Sequence, residues 1–127
     1  MKTAKLYVNT SCTSSRKAVD YFKKNNIPFR EIKLTNETIS KEDLELIMES
    51  SDGFEDLIKS TKLNDILDMS TNQCKEYIIE NPTILRTPVI VQGLKTYIGF
   101  NDDALGMFLN REQKTREYRR LVSAIAI

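Results

Sequence analysis

The sequence contains no histidine, and only two of its 127 residues are cysteines. Without histidine the chain cannot build a His-ligated metal site, a Ser-His or Cys-His catalytic pair, or an imidazole proton shuttle. Cys12 and Cys74 are too few for a four-cysteine metal site or a disulfide framework, and a single disulfide between them is a question of geometry. We therefore expect no metal and no cofactor.

Charge of one sign is also nearly absent, because 19 Lys and Arg residues stand against 18 Asp and Glu residues for a net charge of +1. Chains that bind DNA by bulk electrostatics are usually strongly basic, so that class is disfavoured. No apolar run approaches the length of a membrane span, and no signal-peptide core follows Met1. We predict a single cytoplasmic domain with no membrane partner.

Strand and helix patterns alternate at both ends of the chain. Residues 4–8 and 29–34 have strand patterns, and the stretch 13–26 between them repeats apolar residues at helical spacing. Such a strand–helix–strand unit joins parallel strands. Residues 89–91 and 95–98 predict a hairpin, and Asn101 suits the N-cap of a following helix.

The stretch between these two units is helical in pattern and has no strand signal. Ser40 and Ser70 suit helix N-caps, and Cys74 shares a helical face with Tyr77 and Ile78, which predicts a packing role. We predict an α/β, thioredoxin-like fold with a four-stranded mixed sheet whose last strand is antiparallel to its neighbour. The core would span about 1–35 and 86–127, and an all-helical insertion about 36–85.

Cys12 lies between the first predicted strand and the first predicted helix. A sulfur there faces unpaired backbone N–H groups and the positive end of the helix dipole, which favour the thiolate. Arg16 follows one turn later and can add positive charge. Ser15 stands where a Cys-x-x-Cys motif has its second sulfur, and it cannot form a disulfide. We predict Cys12 as the redox thiol, supported by Ser15 and Arg16; an inert loop residue is the alternative.

Pro88 comes directly before the third predicted strand. In thioredoxin-like folds this position commonly holds a cis-proline that faces the active thiol. An ordinary trans turn is the alternative, since cis X-Pro bonds are a minority state. The surrounding pattern favours the cis isomer.

Four segments, in this order, resemble the Spx branch of the ArsC/Spx family, and the resemblance covers nearly the whole chain. They are Cys12-Thr13-Ser14-Ser15-Arg16, Ser51-Asp52-Gly53, the stretch 81–91 that contains Arg86-Thr87-Pro88, and Ile98-Gly99-Phe100-Asn101. The resemblance implies a global transcriptional regulator of the thiol and oxidative stress response. It would bind the C-terminal domain of the RNA polymerase α subunit and reach DNA only indirectly, within the polymerase complex.

The same resemblance implies that Asp52 and Gly53 contact the α subunit. An absent side chain at Gly53 allows close backbone approach, and a helix C-cap is the other explanation for this glycine. The basic stretch 111–120 is either a solvated helix face or a contact to polymerase or promoter phosphates. The apolar end, 121–127, resembles a segment that delivers such proteins to an ATP-dependent protease, and a packed terminal helix is the alternative.

The resembling family also contains ArsC enzymes, which reduce arsenate with one cysteine and glutathione or glutaredoxin. Cys12 keeps an ArsC-like thiol oxidoreductase open, but the arginines that would hold the oxyanion are missing. Thr87 replaces the arginine before the proline, and the other two positions fall near 61–62 and 99–100; Arg16, Lys62 and Arg86 still offer charge. We favour the regulator, with a polymerase-binding paralogue that lacks redox function as a third hypothesis.

Overall fold

The computed structural model describes residues 3–51 and 53–109. Within them, four strands form one mixed sheet in the order β2-β1-β3-β4. The strands are β1 Ala4–Val8, β2 Phe29–Lys33, β3 Val89–Gln92 and β4 Lys95–Ile98. β1 runs parallel to β2, whereas β3 runs antiparallel to both β1 and β4. The predicted α/β class and the antiparallel last strand are confirmed.

Side chains of β1 alternate between two cores because successive residues of a strand face opposite sides of the sheet. Ala4, Leu6 and Val8 pack on one side, with the buried face of α1 (Thr13–Lys24). On this side the ring of Phe22 lies 5.9 Å from that of Phe29 and 5.7 Å from that of Phe108. Residues 4–33 therefore build a strand–helix–strand unit whose helix packs its apolar face on the sheet.

The opposite side of the sheet is covered by the segments between β2 and β3. They are α2 (Lys41–Glu49), α3 (Phe54–Leu57) and α4 (Thr71–Glu80), with 3-10 turns at Ser60–Ile66 and Pro82–Ile84. Their apolar side chains pack with Tyr7 of β1 and with Val89 and Val91 of β3. This helical layer thus rests on the sheet through a core of its own.

Helix starts follow the caps read from the sequence. Ser40 accepts from the Asp43 N–H at 3.1 Å, and Ser70 forms a reciprocal capping box with Gln73. Asn101 accepts from two N–H groups at the start of α5 (Asp102–Leu105), which a 3-10 turn at Gly106–Phe108 follows. No helix of the described chain is long and apolar enough to span a membrane.

Candidate functional site

Cys12 is the N-cap residue of α1. The preceding turn is closed by its N–H, which donates to the Asn9 carbonyl at 2.9 Å, and the helix begins with the Arg16 N–H donating to the Cys12 carbonyl at 3.2 Å. The half-buried thiol lies 3.6 Å from the Thr87 carbonyl oxygen, as the donor of a weak hydrogen bond. The Thr87-Pro88 peptide bond is cis, the isomer expected from the sequence.

The environment of this sulfur favours its charged form. Burial alone raises the pKa of the Cys12 thiol. Hydrogen bonds from the Thr87 side chain, from the Ser15 N–H and hydroxyl and from the Ser14 N–H lower this pKa by more than burial raises it. The net pKa is below that of an ordinary cysteine. N–H groups at a helix start are the physical source of much of this effect. The site can therefore present a thiolate.

The structure adds to the predicted role of Ser15 at this thiol and limits the predicted role of Arg16. Ser15 is buried, with 2% of its surface exposed, and its hydroxyl also accepts from the Asn9 N–H at 3.2 Å, so it braces the loop as well. Arg16 does not lead the stabilisation of the thiolate. Its exposed side chain lines a separate groove that also contains Asp20 and Glu31. Its position one turn into α1 did not determine which groove this long side chain would line.

Cys74 is a packing residue. It is 1% exposed inside the core of the helical layer, and burial raises its pKa. Its thiol donates weakly to the Ile66 carbonyl at 3.8 Å. Both cysteines are free, so the structure contains no Cys12–Cys74 disulfide.

An open cleft of about 610 Å³ runs from the start of α1 to the turn between α2 and α3. Ser14 and Thr87 line the end beside Cys12, and the opposite wall is formed by the residues around the α2–α3 turn and by β4. The lining consists of Ser14, Ser50, Ser51, Glu55, Asp56, Arg86, Thr87, Thr96, Tyr97, Ile98 and Gly99. The cleft thus joins the two regions that the sequence singled out.

Gly53 lies at that turn and is exposed. It is the N-cap of α3, whereas α2 already ends at its C-cap, Ser50. The alternative of a helix C-cap role for Gly53 is therefore wrong, because the helix stops three residues earlier. Its φ of 171° is extended backbone, and an added Cβ would meet no atom of the described residues within 4 Å. Among the described residues, neither backbone strain nor a steric contact requires glycine here.

Some predicted residues fall outside the part of the chain that the structure describes. Asp52, the basic stretch 111–120 and the apolar stretch 121–127 are among them. Their proposed contacts with the α subunit, with promoter phosphates and with a protease stay predictions from the sequence. Among the described residues, no group of three or more His, Cys, Asp or Glu side chains is placed to hold a metal ion.

Residues 7–108 match the model of the ArsC family. The chain belongs to the ArsC family. It is similar to the global transcriptional regulator Spx of Streptococcus agalactiae, with 34% identity over 91% of this chain and 89% of the relative. The regulator of the same name in Enterococcus faecalis is also 34% identical, over 91% of this chain and 92% of the relative.

Solved structures agree on the fold. An ArsC-family-related protein from Bacteroides fragilis superposes with a TM-score of 0.71 at 17% identity, covering 85% of this chain and 98% of that protein. A likeness at 17% identity indicates a shared fold and nothing about function. Together with the sheet order, this superposition confirms the thioredoxin-like architecture predicted from the order of strand and helix patterns.

For a member of the ArsC family, the cleft beside Cys12 is poorly suited to an oxyanion. Arg86 is its one lining cation among the described residues, and its Nε already donates to the Ile58 carbonyl at 3.0 Å. Glu55 and Asp56 line the same cleft, and neither forms an ion pair with another described residue. The lining carries more negative than positive charge, which repels arsenate. Lys62 and Arg16 do not line it.

One buried polar cluster was missed by the sequence reasoning. Asp43 is 6% exposed, and its carboxylate accepts from the Tyr7 hydroxyl at 2.5 Å and pairs with the Lys5 ammonium at 2.7 Å. Burial, followed by the bond to Asp43, raises the pKa of Tyr7 to about 12. Burial also raises the pKa of Asp43, but bonds from Lys5 and Tyr7 outweigh it and leave that pKa lowered. The sequence offered one clue to this cluster: Lys5 and Tyr7 are two residues apart on one strand, so their side chains lie on the same face of the sheet.

Proposed function

We propose that this ArsC-family protein is an Spx-type transcriptional regulator that binds the C-terminal domain of the RNA polymerase α subunit at the α2–α3 corner. The corner is defined here as Ser50, Ser51, Gly53 and Phe54. The protein acts in the cytoplasm, in the response to thiol and oxidative stress, and it reaches DNA only through the polymerase. Its similarity to Spx regulators over nine-tenths of the chain supports this assignment.

The observation that carries the proposal is the environment of Gly53. The residue is exposed, its backbone is extended, and the space where a Cβ would stand is open. A missing side chain lets a partner pack directly against the backbone.

The electrostatics of the cleft support a regulator over an arsenate reductase. Glu55 and Asp56 oppose anion binding, and Thr87 supplies a hydroxyl where an arginine would be needed. One observation favours the second candidate, an ArsC-like thiol oxidoreductase: the lowered pKa of Cys12. A thiolate makes the sulfur nucleophilic, but it does not supply an oxyanion site.

The decisive experiment is calorimetric titration of the full chain with the purified C-terminal domain of the α subunit. We expect the unaltered chain to bind and Gly53→Arg to weaken binding at least tenfold, about 1.4 kcal/mol. Gly106→Arg is the matched control. An added Cβ at Gly106 also meets no described atom within 4 Å, and this residue starts the turn Gly106–Phe108, away from the α2–α3 corner.

Absence of binding by the folded, unaltered chain would overturn the proposal, and so would equal losses in the two glycine variants. The enzyme candidate is tested separately by turnover with arsenate, glutathione and glutaredoxin. We expect no activity above that of Cys12→Ser. Turnover that depends on Cys12 would favour the oxidoreductase instead.

A further inference from the structure

The N-terminal end of α2 is tied to the sheet by a cluster of two buried residues, Asp43 and Tyr7, and the partly exposed Lys5. Asp43 lies in the first turn of α2, whereas Tyr7 and Lys5 belong to β1. The hydroxyl of Tyr7 and the ammonium of Lys5 reach the same carboxylate oxygen, at 2.5 and 2.7 Å. A carboxylate in the first turn is also favoured by the helix dipole. One ionised oxygen therefore joins the helical layer to the central strand.

The C-terminal end of α2 is tied to a different strand. The hydroxyls of Ser50 and Thr96 are 2.9 Å apart, and Thr96 belongs to β4. Ser50 is also the C-cap of α2, and its N–H donates to the Leu46 carbonyl. The corner thus begins at a residue that is fixed both to its own helix and to the sheet.

The end of α3 is tied to the segment that leads into Pro88. The Arg86 N–H donates to the Leu57 carbonyl at 2.7 Å, and the Lys59 N–H donates to the Ile84 carbonyl at 2.9 Å. Ile58 and Leu85 form an isolated antiparallel bridge between these two pairs. The corner that contains Gly53 is therefore held on both sides by contacts with distant parts of the chain.

These ties differ in kind from the apolar contacts of the same helices. Leu44 and Ile47 of α2 are fully buried, but apolar packing is not directional and tolerates small shifts. Hydrogen bonds lose strength steeply with distance and angle, and a buried partner left unpaired is costly. The buried Tyr7–Asp43 hydrogen bond at one end of α2 therefore selects one position of the helix along the sheet, and the exposed hydroxyl pair at the other end adds a second directional contact.

We propose that Asp43, Tyr7 and Lys5, together with Ser50 and Thr96, are positioning residues that set the α2–α3 corner in the orientation its partner binds. The inference rests on the proposed function, since it assigns the corner as the partner surface. It adds that the affinity of that surface depends on residues outside the corner, namely Asp43, Tyr7, Lys5 and Thr96, and on Ser50 at its edge. Tyr7 and Asp43 are buried and lie at the far end of α2 from the corner.

The test compares Tyr7→Phe and Asp43→Asn with Val19→Ala, a control on the other side of the sheet. Val19 belongs to the core that contains α1, not to the helical layer. Folded fractions are first measured by urea unfolding, and all variants are studied where each is at least about 99% folded. Under that condition global unfolding changes an apparent Kd by only about 1%, so a larger change reports the position of the corner.

We expect Tyr7→Phe and Asp43→Asn to raise the Kd for the C-terminal domain of the α subunit about threefold or more, and Val19→Ala to leave it unchanged. Hydrogen exchange on the same variants, without the partner, should quicken at the amides of Ser50, Ser51 and Asp56. These amides donate to Leu46, Met48 and Gly53 within and around the corner. Exchange within α1 should stay as in the unaltered chain. Thr96→Val should likewise raise the Kd and quicken exchange at the corner.

Different results would overturn the positioning role and the proposed function. If the Kd and corner exchange of Tyr7→Phe and Asp43→Asn match those of Val19→Ala, the cluster contributes stability alone and the positioning role is overturned. If exchange quickens at the corner while neither these variants nor Gly53→Arg changes the Kd, the corner is not the partner surface. The proposed function then fails and takes the positioning of that surface with it.

Discussion

The regions around Cys12 and Gly53, which border the cleft through Ser14, Thr87 and Ser51, are built on opposite principles. At Cys12 the polar groups converge on one sulfur: the Thr87 side chain, the Ser14 and Ser15 N–H groups and the Ser15 hydroxyl all lower its pKa. At Gly53 the chain withdraws side-chain atoms and exposes extended backbone. The first arrangement prepares a reactive atom, and in the proposed function the second leaves a surface for the partner. Their separation indicates that partner binding and thiol chemistry can be altered independently.

The largest expected effect comes from the core beneath the corner. Leu44 of α2 is fully buried, so Leu44→Ala should lower the free energy of unfolding by about 2–5 kcal/mol through lost burial and a residual cavity. Urea unfolding measures this loss. If the two regions are independent, the alkylation rate of Cys12 in the folded variant stays unchanged. A marked change in that rate would show that the two regions are not independent.

A smaller effect is expected at the thiol. Thr87→Val removes a hydroxyl that helps to lower the pKa of Cys12, so the pKa should move up toward the ordinary value. The pH midpoint of alkylation should rise, and the rate near pH 7 should fall about two- to tenfold. Binding of the C-terminal domain of the α subunit should not change.

Thr10→Val is the matched control for this substitution. Thr10 lies in the same loop as Cys12 but lines the separate groove with Arg16. The pH profile of Cys12 alkylation in Thr10→Val should match that of the unaltered chain. Equal shifts in both variants would mean that the loop as a whole, and not the Thr87 hydroxyl, determines the acidity of the thiol.

The smallest effect is expected for an exposed ion pair in the helical layer. Lys75 of α4 and Glu45 of α2 are 3.6 Å apart, and Glu45 is about half exposed. Exposed pairs contribute about 0–1 kcal/mol because water and salt screen them. Lys75→Met should therefore change the unfolding free energy by less than about 1 kcal/mol and leave the partner Kd unchanged. A large change in Kd would show that the position of α2 depends on its surface as well as on the Asp43 cluster.

Local features were accessible from the sequence because their determinants lie within a few residues. The caps Ser40, Ser70 and Asn101 each bond N–H groups two or three positions ahead, as their spacing predicted. The sheet strands and the apolar face of α1 follow from hydrophobic periodicity. The placement of Cys12 at a helix start belongs to the same class of local inference.

Other features depend on which distant segments meet. Asp43 lies three residues after the Ser40 N-cap, but its carboxylate accepts from Tyr7, which is 36 positions away in sequence. Glu55 and Asp56 became relevant to the cleft only when α3 came to face β4 and Arg86. Sequence spacing carries no information on such contacts.

By itself, the sequence determined the kinds and order of the strands and helices, the helix starts and the single accessible thiol, because short-range hydrogen bonding and periodic apolar residues decide them. Only contacts in three dimensions decided that Gly53 begins a helix instead of ending one, that Arg16 lines a separate groove, and that the cleft lining has more acidic than basic side chains. These outcomes depend on side-chain direction and on contacts across the sheet, which a linear pattern does not specify.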